Sequence, residues 1–378
     1  MEPIKMVDLH KQYLKIKDEI HGAFDRILQD TAFINGPPVK AFARALSEYL
    51  DIPHVIPCGN GTDALQIALM ALDLRPGDEV ITVDFTFAAT VEVIGLLGLT
   101  PVLVDISPAT FTMDIDALRN AITPRTKAIV PVHLFGQSAG MDEIMRIARE
   151  HGLYVVEDTA QALGADYTFP GGETKKAGTI GHIGTTSFFP SKNLGAYGDG
   201  GALFTADDKL AERIRSIANH GMSERYYYER LGVNSRLDSL QAAVLLAKLP
   251  HLDAYARARQ QAADYYDRAF REVEGIEIPG RNPRSTHVFH QYTLKFPAGV
   301  RDGLKKFLHE NGIPSAIYYP VPLHKQKAYA HFRFEPENLT VSTELSKKVL
   351  SLPMHTELTG EQLEYITRKV VEYVNRHK

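Results

Sequence analysis

The stretch that decides the fold is YVVEDTAQ, residues 154–161, in which a short apolar run ends in two acidic residues. A run of this kind is typical of a buried strand, which places Asp158 at the strand's carboxyl end. Open α/β sheets bind ligands at that edge. A lone aspartate there is as readily explained as a cap for the next segment, so its meaning depends on what else reaches the same edge.

A second stretch, TSFFPSKNLG at residues 186–195, places Lys192 after another strand-like run and before a cluster of glycines. Glycines let a backbone approach a ligand closely. A lysine and a carboxylate so placed suit pyridoxal phosphate (PLP): the lysine forms a Schiff base with the aldehyde, and the acid keeps the pyridine nitrogen protonated. We therefore predict PLP as the cofactor and Lys192 and Asp158 as catalytic residues, with Lys192 also the general base. Gln161 is expected to bond the ring hydroxyl.

The stretch CGNGTDAL, residues 58–65, indicates a strand followed by a tight turn and a helix. Free N–H groups at such a helix start bind phosphate, so Gly61 and Thr62 are predicted phosphate ligands, with Ser187 adding a hydroxyl. The alternative is an ordinary turn capped by Asn60 or Thr62. In DFTFAAT, residues 84–90, Phe87 is the candidate for stacking on the cofactor ring, and a core aromatic is the alternative.

Short apolar runs alternate with helical patterns through most of the chain, which predicts βαβ units and a mostly parallel, seven-stranded sheet in an α/β fold. The runs are His54–Pro57, Glu79–Val83, Pro101–Val104, Lys127–Val132, Leu153–Glu157, Thr185–Phe189 and Gly201–Phe204. We expect residues 1–250, with an N-terminal helix over Leu9–Gln29, to form a large cofactor-binding domain. A smaller C-terminal α/β domain is expected over residues 251–378, with strands near Phe289–Phe296 and Ile313–Tyr319.

The composition is that of a globular protein and excludes several function classes. The 378 residues are 44% hydrophobic and carry a net charge of −4 without a long basic run, which argues against nucleic acid as a partner. The single cysteine, Cys58, fits a reducing compartment. No apolar segment reads as a signal or membrane span, so a cytoplasmic location and no membrane partner are expected. No metal ion is expected at the site.

Taken together, these motifs resemble the StrS/DegT family of sugar-nucleotide aminotransferases, PLP enzymes of fold type I. The resemblance runs from about Val7 to Pro353 and includes GDGG at 198–201 and NSRLD at 234–238. It implies that Lys192 carries the cofactor, that Asp158 and Gln161 hold its ring, and that Gly61, Thr62 and Ser187 hold its phosphate. It also implies that Asn234 reaches the phosphate of a second subunit, hence a homodimer with shared active sites.

The same resemblance implies the reaction: an amino group passes from L-glutamate to a nucleotide-linked keto sugar for surface polysaccharide synthesis. NSRLD at 234–238 and YYPVPLHKQ at 318–326 are similar to members that aminate C3, particularly of UDP-2-acetamido-2-deoxy-3-keto-glucuronate. Arg236 is a candidate for the uronate carboxylate, the alternative being a salt bridge to Asp238 or a C-terminal acid. Tyr318 and His324 are candidate sugar or diphosphate contacts, or packing residues.

Two alternatives to this function are carried forward. One is an aminotransferase acting at C4 of a GDP- or dTDP-linked 4-keto-deoxysugar. The other is a regulatory protein that binds PLP without turnover, which the intact set of Lys192, Asp158 and Gln161 disfavours. A panel of acceptors separates the first alternative from the predicted function, and release of 2-oxoglutarate separates the second.

Overall fold

A computed structural model describes residues 2–377 and confirms the predicted central sheet. Its strands in chain order are β1 His54–Cys58, β2 Glu79–Val83, β3 Thr100–Val104, β4 Thr126–Val130, β5 Tyr154–Asp158, β8 Ile183–Ser187 and β9 Gly201–Thr205. Three two-stranded pairs join β6 Asp166–Thr168 to β7 Thr174–Lys176, β10 Met222–Glu224 to β11 Tyr227–Tyr228, and β12 Tyr292–Lys295 to β13 Val349–Leu352.

The seven-stranded sheet has the order β1-β9-β8-β5-β4-β2-β3. Its strands pair in parallel except at β9, which runs antiparallel to both neighbours. Asp158 of β5 lies opposite Thr185 of β8, and Ser187 pairs with Gly201. The register therefore brings the ends of β5 and β8 to one edge of the sheet.

Helices cover both faces of the sheet. Their bounds are α1 Leu9–Asp30, α2 Pro37–Leu50, α3 Gly61–Ala71, α4 Ala89–Leu96, α5 Ile115–Asn120, α6 Met141–His151, α7 Asp208–Ala218, α8 Ser239–Lys248, α9 Leu252–Phe270, α10 Val300–Glu310, α11 Thr340–Lys348 and α12 Gly360–Arg376. Successive strand residues point to opposite faces. Accordingly, Val156 packs in one apolar cluster with residues of α3, α4 and α7, and Val155 packs in another with residues of α6.

A second core forms around β12 and β13 with apolar residues of α9, α10 and α12, and Ile4 from the beginning of the chain joins it. The strand expected over Ile313–Tyr319 does not form. Only Ala316 pairs there, exchanging backbone hydrogen bonds with Ser351 of β13. The chain then leaves this pair of strands and carries Tyr318 and Tyr319 to the seven-stranded sheet, where both pack against the apolar cluster that contains Val155. Across residues 2–377, the helices are all too short or too polar to cross a membrane.

Candidate functional site

Asp158 ends β5 and is held rigidly at the sheet edge. Its backbone N–H donates to the carbonyl of Pro131 and its carbonyl accepts from the N–H of His133, both at 3.0 Å. The carboxylate is buried. Its Oδ2 accepts from the Thr90 hydroxyl at 2.9 Å, and its Oδ1 accepts from the N–H of Ala160 at 3.1 Å. Two donors therefore orient a carboxylate that has no cationic partner in hydrogen-bond contact among residues 2–377.

The neighbouring Glu157 is fully buried and makes its hydrogen bonds within the protein. The carboxylate accepts from His133 Nε2 at 2.8 Å and from the N–H groups of Gly178 and Ile180 at 2.9 and 2.7 Å. His133 Nδ1 accepts from the N–H of Ala139, so the proton that bonds Glu157 is on Nε2. Burial alone raises the pKa of Glu157, but these donors outweigh it and lower the pKa. Glu157 is thus a structural acid, and Asp158 is the acid available for chemistry.

Lys192 lies in the loop that joins β8 to β9. Its N–H donates to the carbonyl of Phe189 at 2.8 Å, and Asn193 anchors the loop by donating to the carbonyl of Val288 at 2.9 Å. Gly195 is required because a Cβ there would lie 2.2 Å from the carbonyl oxygen of Pro190. Burial lowers the pKa of Lys192 to about 8, against an opposing influence from the charge of Asp158.

Burial lowers the pKa of Lys192 and the charge of Asp158 opposes this, yet no salt bridge joins the two side chains within the described residues. This is the arrangement expected of two groups that hold different atoms of one aromatic ring. Because the pKa of Lys192 is lowered, a larger fraction of its side chain is the neutral amine at physiological pH. A neutral amine is the form that attacks an aldehyde.

Gln161 is oriented by two contacts at the same edge. Its Oε1 accepts from the N–H of Phe135 at 2.8 Å, and its Nε2 donates to the hydroxyl of Tyr319 at 3.2 Å. Burial raises the pKa of Tyr319, so its hydroxyl stays protonated and can itself donate. Gln161 and Tyr319 together present polar hydrogens near Asp158, as the binding of a ring hydroxyl requires.

The start of α3 lies against the end of β8. A Cβ on Gly61 would come within 2.7 Å of the Cβ of Ser187, so only glycine allows this approach. The Asn60 side chain accepts from the N–H of Asp63 at 2.8 Å and caps the helix. The N–H groups of Gly61 and Thr62 have no acceptor within the helix. These groups and the Ser187 hydroxyl lie together and are donors of the kind that bind a phosphate, and we call them the phosphate cradle.

Phe87 precedes α4 and is 59% exposed, whereas its neighbour Phe85 is fully buried. Phe85 is therefore the core aromatic of this segment, and Phe87 is free to stack on a bound ring.

Asn234 and Arg236 are exposed on either side of the buried Ser235. Ser235 fastens the segment to the start of α3 by donating to the Asp63 carboxylate at 2.6 Å and accepting from the N–H of Gly59 at 2.9 Å.

Arg236 is exposed, and no salt bridge joins it to Asp238 or to another acid among residues 2–377. Tyr318 is half-buried and its ring contacts that of Tyr319. His324 is placed differently from a sugar contact, because it is 2% exposed and pairs with Asp84. The structure thus gathers the candidate cofactor residues at one sheet edge and buries His324 behind it.

Two contributors escaped sequence reasoning. Thr90 is the hydroxyl donor to Asp158, and Tyr319 is the partner of Gln161. Each lies within a segment described above, three residues after Phe87 and one after Tyr318. Proximity to a motif was the only available signal, because the contacts themselves join segments far apart in the chain.

The residues fit PLP: an amine with a lowered pKa, a buried carboxylate and a phosphate cradle meet at one edge.

We expect the rate at which Lys192 captures PLP to rise about tenfold per pH unit below pH 8 and to level off above it, since only the neutral amine reacts. Stopped-flow absorbance of the cofactor-free protein with PLP measures this profile. A plateau delayed until pH 10 would contradict the lowered pKa.

Comparison with known proteins agrees with this geometry. The profile of the DegT/DnrJ/EryC1/StrS aminotransferase family matches residues 14–371. A protein of Geobacillus stearothermophilus named pleiotropic regulatory protein is 46% identical over 98% of both chains. The UDP-N-acetyl-3-dehydro-alpha-D-glucosamine 3-aminotransferase of Acidithiobacillus ferrooxidans is 45% identical over 96% of both. The UDP-2-acetamido-2-deoxy-3-oxo-D-glucuronate aminotransferase of Pseudomonas aeruginosa is 45% identical over 96% of this chain and 98% of its own.

Solved structures give the same result. A DegT/DnrJ/EryC1/StrS aminotransferase from Brucella abortus superposes with a TM-score of 0.93 at 40% identity, covering 98% of this chain and 99% of the other. NtdA of Bacillus subtilis, solved with the cofactor PMP bound, has a TM-score of 0.87 at 32% identity over 96% and 82% of the two chains.

Proposed function

Because the chain belongs to the DegT/DnrJ/EryC1/StrS aminotransferase family, we propose that it transfers an amino group from L-glutamate to the C3 keto group of a UDP-linked 2-acetamido sugar. The observation that carries the proposal is Lys192, with its lowered pKa, placed near the buried carboxylate of Asp158 beside a phosphate cradle. The aminotransferase class and the dependence on PLP, both predicted from the sequence, are confirmed by the family.

When bound, PLP supplies an electron sink and carries the amino group from one substrate to the other. The carboxylate of Asp158 would keep the ring nitrogen protonated. Lys192 would hold the cofactor between turnovers and, as a free amine, would move the proton at the reacting carbon. Gly61, Thr62 and Ser187 would hold the phosphate, and Gln161 would hydrogen-bond the ring hydroxyl.

The acceptor is supported by two relatives of equal identity, one named for a 3-dehydro-glucosamine and the other for a 3-oxo-glucuronate. These sugars share the UDP, the acetamido group and the keto carbon, and they differ at C6, which is a hydroxymethyl group in one and a carboxylate in the other. We assign the uronate to this chain because Arg236 is an exposed guanidinium without an acidic partner within residues 2–377. The product would serve surface polysaccharide synthesis.

The active form is proposed to be a cytoplasmic homodimer in which each subunit completes the other's site. Asn234 and Arg236 are exposed on a segment that Ser235 fastens to Asp63, so their side chains are available to a second subunit. The adjoining β10–β11 hairpin exposes Tyr226 and Tyr227, and Leu231 just after it is also exposed, which suits an interface better than open solvent. Buried apolar area at such an interface would stabilise the pair.

The proposal is tested in two half-reactions. Purified enzyme is converted to its pyridoxamine form with L-glutamate, freed of excess donor and mixed with UDP-2-acetamido-2-deoxy-3-keto-glucuronate while the cofactor absorbance is followed. Return of the PLP band with formation of the amino sugar supports the acceptor. A clean glutamate step without return on either 3-keto sugar refutes it and directs the search to 4-keto-deoxysugars.

Arg236→Ala is expected to lower kcat/KM for the uronate about 10- to 100-fold, the loss expected when a charge-assisted bond of about 1.5–3 kcal/mol is removed. The value for the 3-keto-glucosamine should change less than about threefold, because it has no carboxylate at C6. Arg236→Lys is the matched control and should recover part of the loss. Equal losses on both sugars would contradict a carboxylate role.

The non-catalytic alternative takes some support from the relative named as a regulatory protein. In this chain, however, Lys192, Asp158 and Gln161 are all present and oriented toward one edge. Release of 2-oxoglutarate from glutamate decides the matter directly, since a purely regulatory protein would release none.

A further inference from the structure

His324 and Asp84 are joined by hydrogen bonds, although they lie far apart in the chain. Asp84 Oδ2 accepts from His324 Nδ1 at 2.7 Å, and Oδ1 accepts from the backbone N–H of the same histidine at 2.8 Å. The carbonyl of Asp84 also accepts from the N–H of Leu323 at 3.1 Å. Both side chains are buried, at 0% and 2% exposure. Because a carboxylate only accepts, Nδ1 must carry a proton.

The contact joins two segments that both carry site residues. The segment 84–90 follows β2 and carries Phe87 and Thr90, and Thr90 donates to Asp158. The segment 318–324 carries Tyr318 and Tyr319, and Tyr319 accepts from Gln161. The rings of Phe85 and Tyr319 meet edge to face at 5.8 Å, which adds apolar contact beside the polar one.

Only one of the two ring nitrogens of His324 bonds to the protein. Nε2 is buried and has no hydrogen-bond partner within the described residues. Leaving a buried polar atom unpaired is unfavourable, so histidine is present at this position for Nδ1. The two oxygens of Asp84 are likewise both used by His324. Asp84 and His324 therefore use these hydrogen-bonding groups on each other.

We propose that Asp84 and His324 are a positioning pair, which sets Tyr318 and Tyr319 relative to Phe87 and Gln161 and so shapes the sugar side of the active site. The inference rests on the proposed function, in which these residues surround the cofactor ring and acceptor. Displacements of about 1 Å near a reacting centre can cost 10²-fold in rate. The pair acts through the residues that it aligns and needs no contact with either substrate.

Two substitutions of His324 separate positioning from direct contact. In His324→Asn the side-chain amide nitrogen replaces Nδ1 and still donates to Asp84, whereas in His324→Gln it replaces Nε2 and the bond to Asp84 is lost. We expect His324→Gln to lower kcat/KM for the nucleotide sugar about 10- to 100-fold and the glutamate half-reaction less than about threefold. His324→Asn should stay within about threefold of the unmodified enzyme in both.

The opposite order, with glutamine active and asparagine impaired, would overturn the proposal and assign Nε2 to the substrate. Equal losses in both half-reactions would overturn it as well, since they would indicate general damage. If His324→Gln does not fold, Asp84→Asn replaces it, because the amide keeps the shape and removes the charge. If both single variants fold, combining Asp84→Asn with His324→Gln should cost little more than either alone.

Failure of the proposed acceptor does not leave the pair untested. If the unmodified enzyme aminates neither 3-keto sugar, the proposed function fails, and the pair is judged by the rate at which bound pyridoxamine phosphate dissociates. Misplaced Tyr319 and Phe87 should speed dissociation in His324→Gln and not in His324→Asn. Identical rates in both variants would refute the positioning role.

Discussion

Lys192→Ala is expected to abolish transamination, with kcat reduced about 10⁴-fold or more, the upper end of what general acid–base catalysis contributes. The variant loses both the covalent attachment of PLP and the amine that moves the proton. It should fold normally, because the hydrogen bond that holds Lys192 in place is made by its backbone N–H. Burial disfavours the charged ammonium, as the lowered pKa shows, so removing it should cost little stability. Cofactor absorbance, 2-oxoglutarate release and the melting temperature of the cofactor-free protein measure these effects.

Two companion variants make the Lys192 result specific. Lys192→Arg keeps the positive charge but supplies no amine that can attack an aldehyde, so it should be as inactive as the alanine variant. Lys209→Ala removes an exposed lysine of α7 and should behave as the unmodified enzyme. Added methylamine should restore part of the activity of Lys192→Ala, since a small amine can occupy the vacated space. Near-normal turnover by Lys192→Ala would refute the catalytic assignment.

Asp158→Asn is expected to lower kcat about 10²- to 10⁴-fold while some cofactor is retained. The amide keeps the size of the side chain and can still accept from the N–H of Ala160. It cannot hold the ring nitrogen protonated, so the electron sink is weakened. Since the charge of Asp158 raises the pKa of Lys192, its removal should shift that pKa below about 8. The half-reaction rates and the pH profile of cofactor capture report the two effects separately.

Thr90→Val is the matched control for Asp158→Asn. It removes the hydroxyl that donates to Oδ2 and leaves the carboxylate charged. A hydrogen bond to a charged group contributes about 1.5–3 kcal/mol, so we expect a loss of about 10- to 100-fold at most. A Thr90→Val variant as impaired as Asp158→Asn would mean that orientation, rather than charge, is what the site needs from Asp158.

The sequence predicted the sheet well because each strand declares itself locally. All seven strands lie within a few residues of their apolar runs, and α1 spans Leu9–Asp30 against a predicted Leu9–Gln29. Parallel strands align their carboxyl ends, so the sequence alone predicts that Asp158 and Ser187 lie at one edge of the sheet. Where a side chain follows a strand end, local pattern is enough to predict its neighbourhood.

Contacts between distant segments were beyond the reach of pattern. Asp84 reads as a polar residue after a strand and His324 as a polar residue near a tyrosine pair, and neither sequence neighbourhood reveals that they pair. The segment Ile313–Tyr319 carries strand-forming residues, but β13 offers it only the single bridge at Ala316. Tertiary context decides both cases, since β propensity describes fit to a half-buried surface that must first exist.

The position of β9 has a consequence for how the enzyme is made. β9 lies between β1 and β8, so β1, near the start of the chain, has no partner in the sheet until Gly201–Thr205 has been synthesised. Such long-range pairing slows folding, since loop closure must precede the contacts that reward it. The start of α3 follows β1 directly, and hence the phosphate cradle is completed only with the whole sheet. PLP should therefore bind only the fully folded protein. A higher concentration of PLP would then shift the folding equilibrium toward the active enzyme.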